Sequence, residues 1–113
     1  NIRTSIFLNP ELKFIENLHK IGTDRIELYT EDYAINYKKG NYTAIDPYVD
    51  CAKLLNQLDI GVNAGHDLSL ENIEFFKKKI NNLLEVSIGH ALITESLILG
   101  IEPVIKSYLQ KLS

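Results

Sequence analysis

The chain has 113 residues, 45 % of them hydrophobic and 24 % charged, with a net charge of −3 at pH 7, an average globular composition that predicts one small domain. That balance excludes nucleic acid as the main partner, because gripping a phosphate backbone takes a basic face and the twelve basic residues here are scattered. No stretch approaches the roughly 20 apolar residues of a membrane span, and no signal-peptide pattern is legible.

Four strand-then-helix units follow one another. Arg3 to Leu8 reads as a strand that meets the loop signal Asn9-Pro10. Glu11 to Ile21 then carries Leu12, Ile15, Leu18 and Ile21, the spacing of a helical apolar face. On that helix His19 reads as a surface residue, and Gly22-Thr23-Asp24 ends it. The second strand is Arg25 to Thr30, followed by a polar, tyrosine-rich connection through Asn41. A helix over Asp46 to Leu58 comes next, with Val49, Ala52, Leu55 and Leu58 on one face.

Cys51 lies in that stripe and reads as an inert packed thiol. It is the sole cysteine, so no internal disulfide is possible and the chain suits a reducing compartment, the cytoplasm. The third strand is Ile60 to Ala64, and its helix runs over Ser69 to Asn82, with Ser69 and Asn72 resembling a capping motif. Within it Lys77-Lys78-Lys79 follows Phe75-Phe76 and reads as a solvated face. The fourth strand is Leu84 to Ile88. A short helix over Ala91 to Leu97 and a terminal helix over Glu102 to Leu112 complete the chain, with Pro103 near the start of the latter.

Strand and helix alternating in this way predict parallel strands with right-handed crossovers, hence an α/β layer structure. Strand parity selects between an open sheet and a barrel. Ile26 and Leu28 oppose Arg25, Glu27 and Tyr29; Val62 and Ala64 oppose Asn63; Val86 and Ile88 oppose Glu85 and Ser87. A central strand of a doubly wound sheet is apolar on both faces. One apolar and one polar-punctuated face fit a barrel whose lumen becomes an active site near the strand C-termini. The expected fold is therefore four βα units plus a short extra helix, the C-terminal half of a (β/α)₈ barrel, with residues 1–113 forming half of one domain. Asn1-Ile2-Arg3 leads straight into strand sequence, as an interior piece would. Two open edges and an uncovered inner face call for the other half in a longer chain, a missing segment or a second copy.

Both final strands end in the same pattern, Ala64-Gly65-His66 and Ile88-Gly89-His90. Glycine lets a backbone approach a ligand, and the N–H groups opening the next helix cradle anions. Tight turns with helix-capping histidines are the plain alternative. Glu27 sits mid-strand, where a carboxylate needs a partner, water in the lumen or a catalytic role; an ion pair with Arg25 or Arg3 is the alternative. The histidines show no metal-binding spacing, so no metal is expected.

The segments GVNAGHDLSLENI (Gly61 to Ile73) and EVSIGHALITESLILGIEPVI (Glu85 to Ile105) resemble the end of the pyridoxine 5'-phosphate synthase family of vitamin B6 biosynthesis. RTSIFLNP and DRIELYT match its two preceding strands in order and spacing, so the resemblance covers essentially the whole chain. NAGH and IGHA, about twenty-five residues apart, are its most specific part. It implies a (β/α)₈ barrel with extra helices, generally an octamer, needing no metal or organic cofactor. The implied reaction joins 3-amino-2-oxopropyl phosphate to 1-deoxy-D-xylulose 5-phosphate, closing the pyridine ring with release of phosphate and water.

By position in these motifs the resemblance makes His66 the proton donor and Glu27 a carboxylate stabilising the transition state. Gly89 and His90 would hold the phosphate of the amino ketone, and the residue after the NAGH histidine, here Asp67, would contact it as well. The family commonly has glycine at that place, and often His-Thr-Gly where this chain has Tyr29-Thr30-Glu31. The family's further histidine, glutamate base and phosphate-binding arginines lie on four earlier strands, so this segment alone is expected to be inactive. A sugar-phosphate isomerase or aldolase is the nearest rival, though no predicted strand carries the lysine of a Schiff-base aldolase. A receiver-type signalling domain would need an acidic cluster after the first strand, where Phe7-Leu8-Asn9-Pro10 stands. A non-catalytic relative binding a phosphorylated ligand is a third possibility.

Overall fold

A computed structural model describes residues 1–113 apart from the side chain of His19, whose expected exposure lies outside the described residues. Strands β1 (Ser5–Leu8), β2 (Arg25–Tyr29), β3 (Gly61–His66) and β4 (Leu83–Ile88) form one sheet. All neighbours are parallel and the spatial order is the sequence order, β1-β2-β3-β4. Doubly wound sheets reverse their order at a switch point; here there is no reversal, so right-handed crossovers stack the helices on one side. The extents, 45 × 37 × 21 Å, are those of a two-layer slab. The fold is α/β, four consecutive units of a (β/α)₈ barrel.

The expected parity is visible in the burial. Ile26, Leu28, Val62 and Ala64 have no exposed surface and form one core with Ile15, Tyr48, Leu55, Phe76 and Val104 from the helix layer. On the opposite face Phe7 is half exposed, and Glu85 and Ser87 are exposed. A register shift opposite Val62 and Asn63 pairs those neighbours with Leu83 and Glu85, leaving Leu84 as the extra residue on β4. Each return from helix to strand turns on a left-handed residue: Gly22 (φ 75°), Asp59 (φ 57°) and Asn82 (φ 56°). Glycine, asparagine and aspartate are the types that tolerate this conformation.

The helices depart from expectation in three places. The helix expected over residues 11–21 is broken into α1 (Leu12–Ile15) and a 3₁₀ turn (Leu18–Lys20). Asn17 causes the break: its side-chain amide donates to the Lys13 carbonyl at 3.3 Å, the acceptor its backbone N–H would use in a continued helix. The expected connection after β2 is instead helix α2 (Glu31–Lys38). Glu31 and Asp32 open it and Lys38 closes it, matching the helix dipole, and Gly40 at φ 78° stops it. Its inward side is tyrosine: Tyr33 is buried and Tyr37 packs against the core, so no aliphatic stripe marks it.

A 3₁₀ turn (Tyr42–Ile45) leads into α3 (Asp46–Gln57), which buries Cys51, Ala52 and Leu55 as expected and Tyr48 in addition. The helix expected over residues 69–82 is confined to α4 (Ile73–Lys79). Residues 69–72 form its entry turn, with the Ser69 N–H donating to Asn72 Oδ1 at 2.9 Å. Ile80 ends it by turning extended to reach the core. Helices α5 (His90–Leu99) and α6 (Ile101–Leu112) meet at Gly100, φ 89°. Among the described residues no helix is long and apolar enough to cross a membrane.

Candidate active site

At the C-terminal ends of the strands, on the bare face of the sheet, an open hollow of about 420 Å³ is lined by Glu27, His66, Ser87, Ile88, Gly89 and His90. Three strands contribute. β2 delivers Glu27, β3 ends on His66, and β4 runs through Ser87 and Ile88 into Gly89-His90 at the start of α5. Four of the five candidate residues thus meet in one place.

Glu27 projects from the bare face, and the alternative ion pair with Arg25 or Arg3 is not formed. Arg3 and Arg25 both bind Glu85 instead, at 3.0 and 2.9 Å. Asn63 closes that network, accepting from Arg25 at 3.3 Å and donating to Glu85 at 3.1 Å. The two guanidiniums outweigh partial desolvation and hold the Glu85 carboxyl below its ordinary range. Nearer the strand C-termini Glu27 has no ion pair among the described residues, leaving its carboxylate open to the hollow. Its approach needs Gly65: a β-carbon there would lie 2.9 Å from Glu27 Oε1 and 2.8 Å from Ser87 Cβ. The first glycine of the repeated Gly-His pattern makes room for a carboxylate.

His66 has a left-handed backbone, φ 83°, uncommon for a residue with a side chain. Buried Thr30 explains how it is held. Its hydroxyl donates to the Gly65 carbonyl and accepts the Asp67 N–H at 3.2 Å, bracketing His66 on both sides. The Asn72 amide adds a bond to the Asp67 carbonyl at 3.3 Å. Around the imidazole stand Tyr29, edge-on at a centroid distance of 5.8 Å, and Phe7 at 6.3 Å. Tyr29 is anchored by its hydroxyl, which donates to Glu31 Oε2 at 2.7 Å and is pushed up to about 12 by that acceptor.

Asp67 does not line the hollow. Its N–H is taken by Thr30, and its Oδ2, buried and without a hydrogen bond, lies 3.5 Å from His66 Nδ1. Gly89 and His90 have open space: a β-carbon on Gly89 would touch nothing within 4 Å. The first N–H of this turn to be accepted by the chain is that of Ile93, by the Gly89 carbonyl at 3.2 Å. The preceding N–H groups of α5 have no acceptor among the described residues, an arrangement suited to an anion.

Sequence reasoning overlooked Thr30, Phe7 and Tyr29 as parts of the site. Phe7 and Tyr29 share parity with Glu27, a signal that was present; Thr30 acts through β3 neighbours far along the chain and left no local signal. Cys51 is fully buried and its thiol is pushed up to about 11 by desolvation, the state of a packed, unreactive sulfur. A second open hollow of about 660 Å³, lined by Asn9, Glu31, Asp32 and Tyr48 among others, lies on the loops after β1 and β2.

The family model of the pyridoxal phosphate biosynthesis protein PdxJ matches residues 1–113. A pyridoxine 5'-phosphate synthase of Flavobacterium johnsoniae is 62 % identical over 111 residues, 98 % of this chain and 47 % of the relative. Its counterpart in Christiangramia forsetii is 56 % identical over the same coverage. That of Bacteroides fragilis is 53 % identical over 107 residues, 95 % of this chain and 45 % of the relative. The chain spans about half the length of these curated relatives. A match along its whole length, joined to the parallel sheet and the strand-end cluster, makes the chain a member of the PdxJ pyridoxal phosphate biosynthesis family.

Proposed function

We propose that this chain is the C-terminal half of a pyridoxine 5'-phosphate synthase barrel and supplies one side of its active site. The reaction condenses 3-amino-2-oxopropyl phosphate with 1-deoxy-D-xylulose 5-phosphate, forms the pyridine ring and releases phosphate and water, a transferase chemistry without metal or organic cofactor. The convergence of Glu27, His66, Gly89 and His90 on one hollow at the strand C-termini is the observation that carries this reading, together with the names of the relatives.

Each residue has a part. His66 gives a proton to the oxygen that leaves as water, and Glu27 offers negative charge where positive charge develops on the substrate during amine addition and dehydration. Gly89 and His90 hold the phosphate of the amino ketone with the first N–H groups of α5, helped by the helix dipole. The missing proton acceptors and phosphate-binding cations come from the preceding half of the barrel. That half also covers the bare sheet face and the strand edges. A cytoplasmic homo-octamer is the expected working form.

The full-length polypeptide carrying this segment should make pyridoxine 5'-phosphate from the two phosphorylated substrates, while the isolated 113-residue chain should make none. Turnover by the isolated chain, with its length verified by intact mass, would overturn the division of labour; no turnover by the full-length protein would overturn the activity.

A further inference from the structure

We propose that Asp67 is a positioning residue, its carboxylate seating the imidazole of His66 through Nδ1 so that Nε2 faces the substrate. The inference rests on the reading of His66 as proton donor. It departs from the phosphate-contacting role that the family pattern would assign to this place in the chain.

Three observations carry it. First, Asp67 has no means of serving a phosphate: its N–H is already donated to Thr30 at 3.2 Å, its carboxylate would repel an anion, and it does not line the hollow. Second, its Oδ2 is buried without a hydrogen bond, a costly state for a charged oxygen, and lies 3.5 Å from His66 Nδ1. A small rotation of the exposed imidazole closes that distance, and hydrogen bonds in a site commonly tighten when substrate arrives. Third, the backbone that carries the ring is held in place. The backbone on both sides of His66 is pinned by Thr30, and Tyr29 stands edge-on to the imidazole at 5.8 Å.

The chemical consequence concerns the tautomer. When the imidazolium breaks its Nε2–H bond and passes that proton to the departing oxygen, Asp67 keeps the other proton on Nδ1. The ring is left as the neutral Nδ1–H tautomer, with Nε2 aimed at the substrate and able to take a proton back. Without the carboxylate the ring is free to turn and to divide between tautomers, so substrate binding is preserved while the proton-transfer step slows.

Steady-state kinetics on the full-length enzyme, comparing the parent with Asp67→Ala and Asp67→Asn, separate the possibilities. For Asp67→Ala, kcat should fall roughly tenfold, the low end of what loss of a carboxylate partner costs a functional histidine, with KM for both substrates nearly unchanged. Asp67→Asn, whose amide oxygen can still accept from Nδ1–H, should recover part of that loss. It also carries the test if the alanine variant does not fold: kcat then falls with KM held. Unchanged kcat in a folded variant, or an effect confined to KM for the amino ketone phosphate, would overturn the assignment while leaving the enzyme's activity standing. A parent without turnover would remove the underlying reading and this assignment with it.

Discussion

Thr30 shows how a side chain in the hollow depends on one outside it. With no exposed surface, it spends its hydroxyl on the Gly65 carbonyl and the Asp67 N–H, on either side of left-handed His66. Such a backbone costs of order 1 kcal/mol and persists only where its surroundings hold it. Thr30→Val keeps the shape but strands the part-buried Asp67 N–H and removes the donor to the buried Gly65 carbonyl, so a loss of about 1–3 kcal/mol is expected, measured by denaturant unfolding of the full-length protein. An unfolding free energy equal to the parent's would mean that water reaches the bracket. Sequence alone exposes His66, Gly89 and His90, because a glycine-histidine pair at a strand end is a local pattern. It exposes Glu27 because a mid-strand carboxylate is anomalous. Thr30 it leaves hidden, since a threonine closing a strand is ordinary until the strand beside it is known.

At the scale of elements, the helices divide by what they bury. The face of α3 that carries Ala52 and Leu55 is readable at helical spacing. The inward side of α2 consists of Tyr33 and Tyr37, whose rings pack on Phe76 and Phe75 at 5.0 and 5.7 Å. Tyrosine serves surface, core and loop alike, so its spacing is a weak cue. The break after α1 is a single competing hydrogen bond from Asn17, below the resolution of a periodicity argument. Between strands the carboxylates matter most. Arg3 and Arg25 on Glu85, and the Thr4 N–H on Asp24 at 2.8 Å, bind the β1, β2 and β4 segments together. Backbone and hydroxyl hydrogen bonds from Thr4 hold the Asp24 carboxyl below its ordinary value, as the arginines do for Glu85. Both folded-state values are depressed, so this contribution is complete above the ordinary carboxyl range and is lost as pH falls through the lowered values. Melting temperature should therefore decline below the ordinary values of 4.5 for Glu85 and 3.8 for Asp24, and Glu85→Gln should make that acid limb shallower. An acid limb identical to the parent's would contradict the role of Glu85.

For the molecule as a whole, the decisive sequence signal was parity rather than any motif. Ile26, Leu28, Val62 and Ala64 mark the helix side; Glu27, Asn63 and Glu85 mark the other, and the unbroken order β1-β2-β3-β4 follows the same logic. Leu97 and Ile98 on α5, 83 % and 80 % exposed, belong with the bare sheet face as surface suited to further protein rather than water. Under the proposed function, such a half positions a proton donor, a carboxylate and an anion cradle, and the preceding barrel half supplies the opposing groups. The most direct test is product formation by the full-length polypeptide beside its His66→Asn variant, both supplied with the two phosphorylated substrates. The account expects pyridoxine 5'-phosphate from the parent and, in the variant, a rate lower by roughly 10²–10⁴, the range for removal of a general acid. A His66→Asn enzyme as fast as its parent would contradict it.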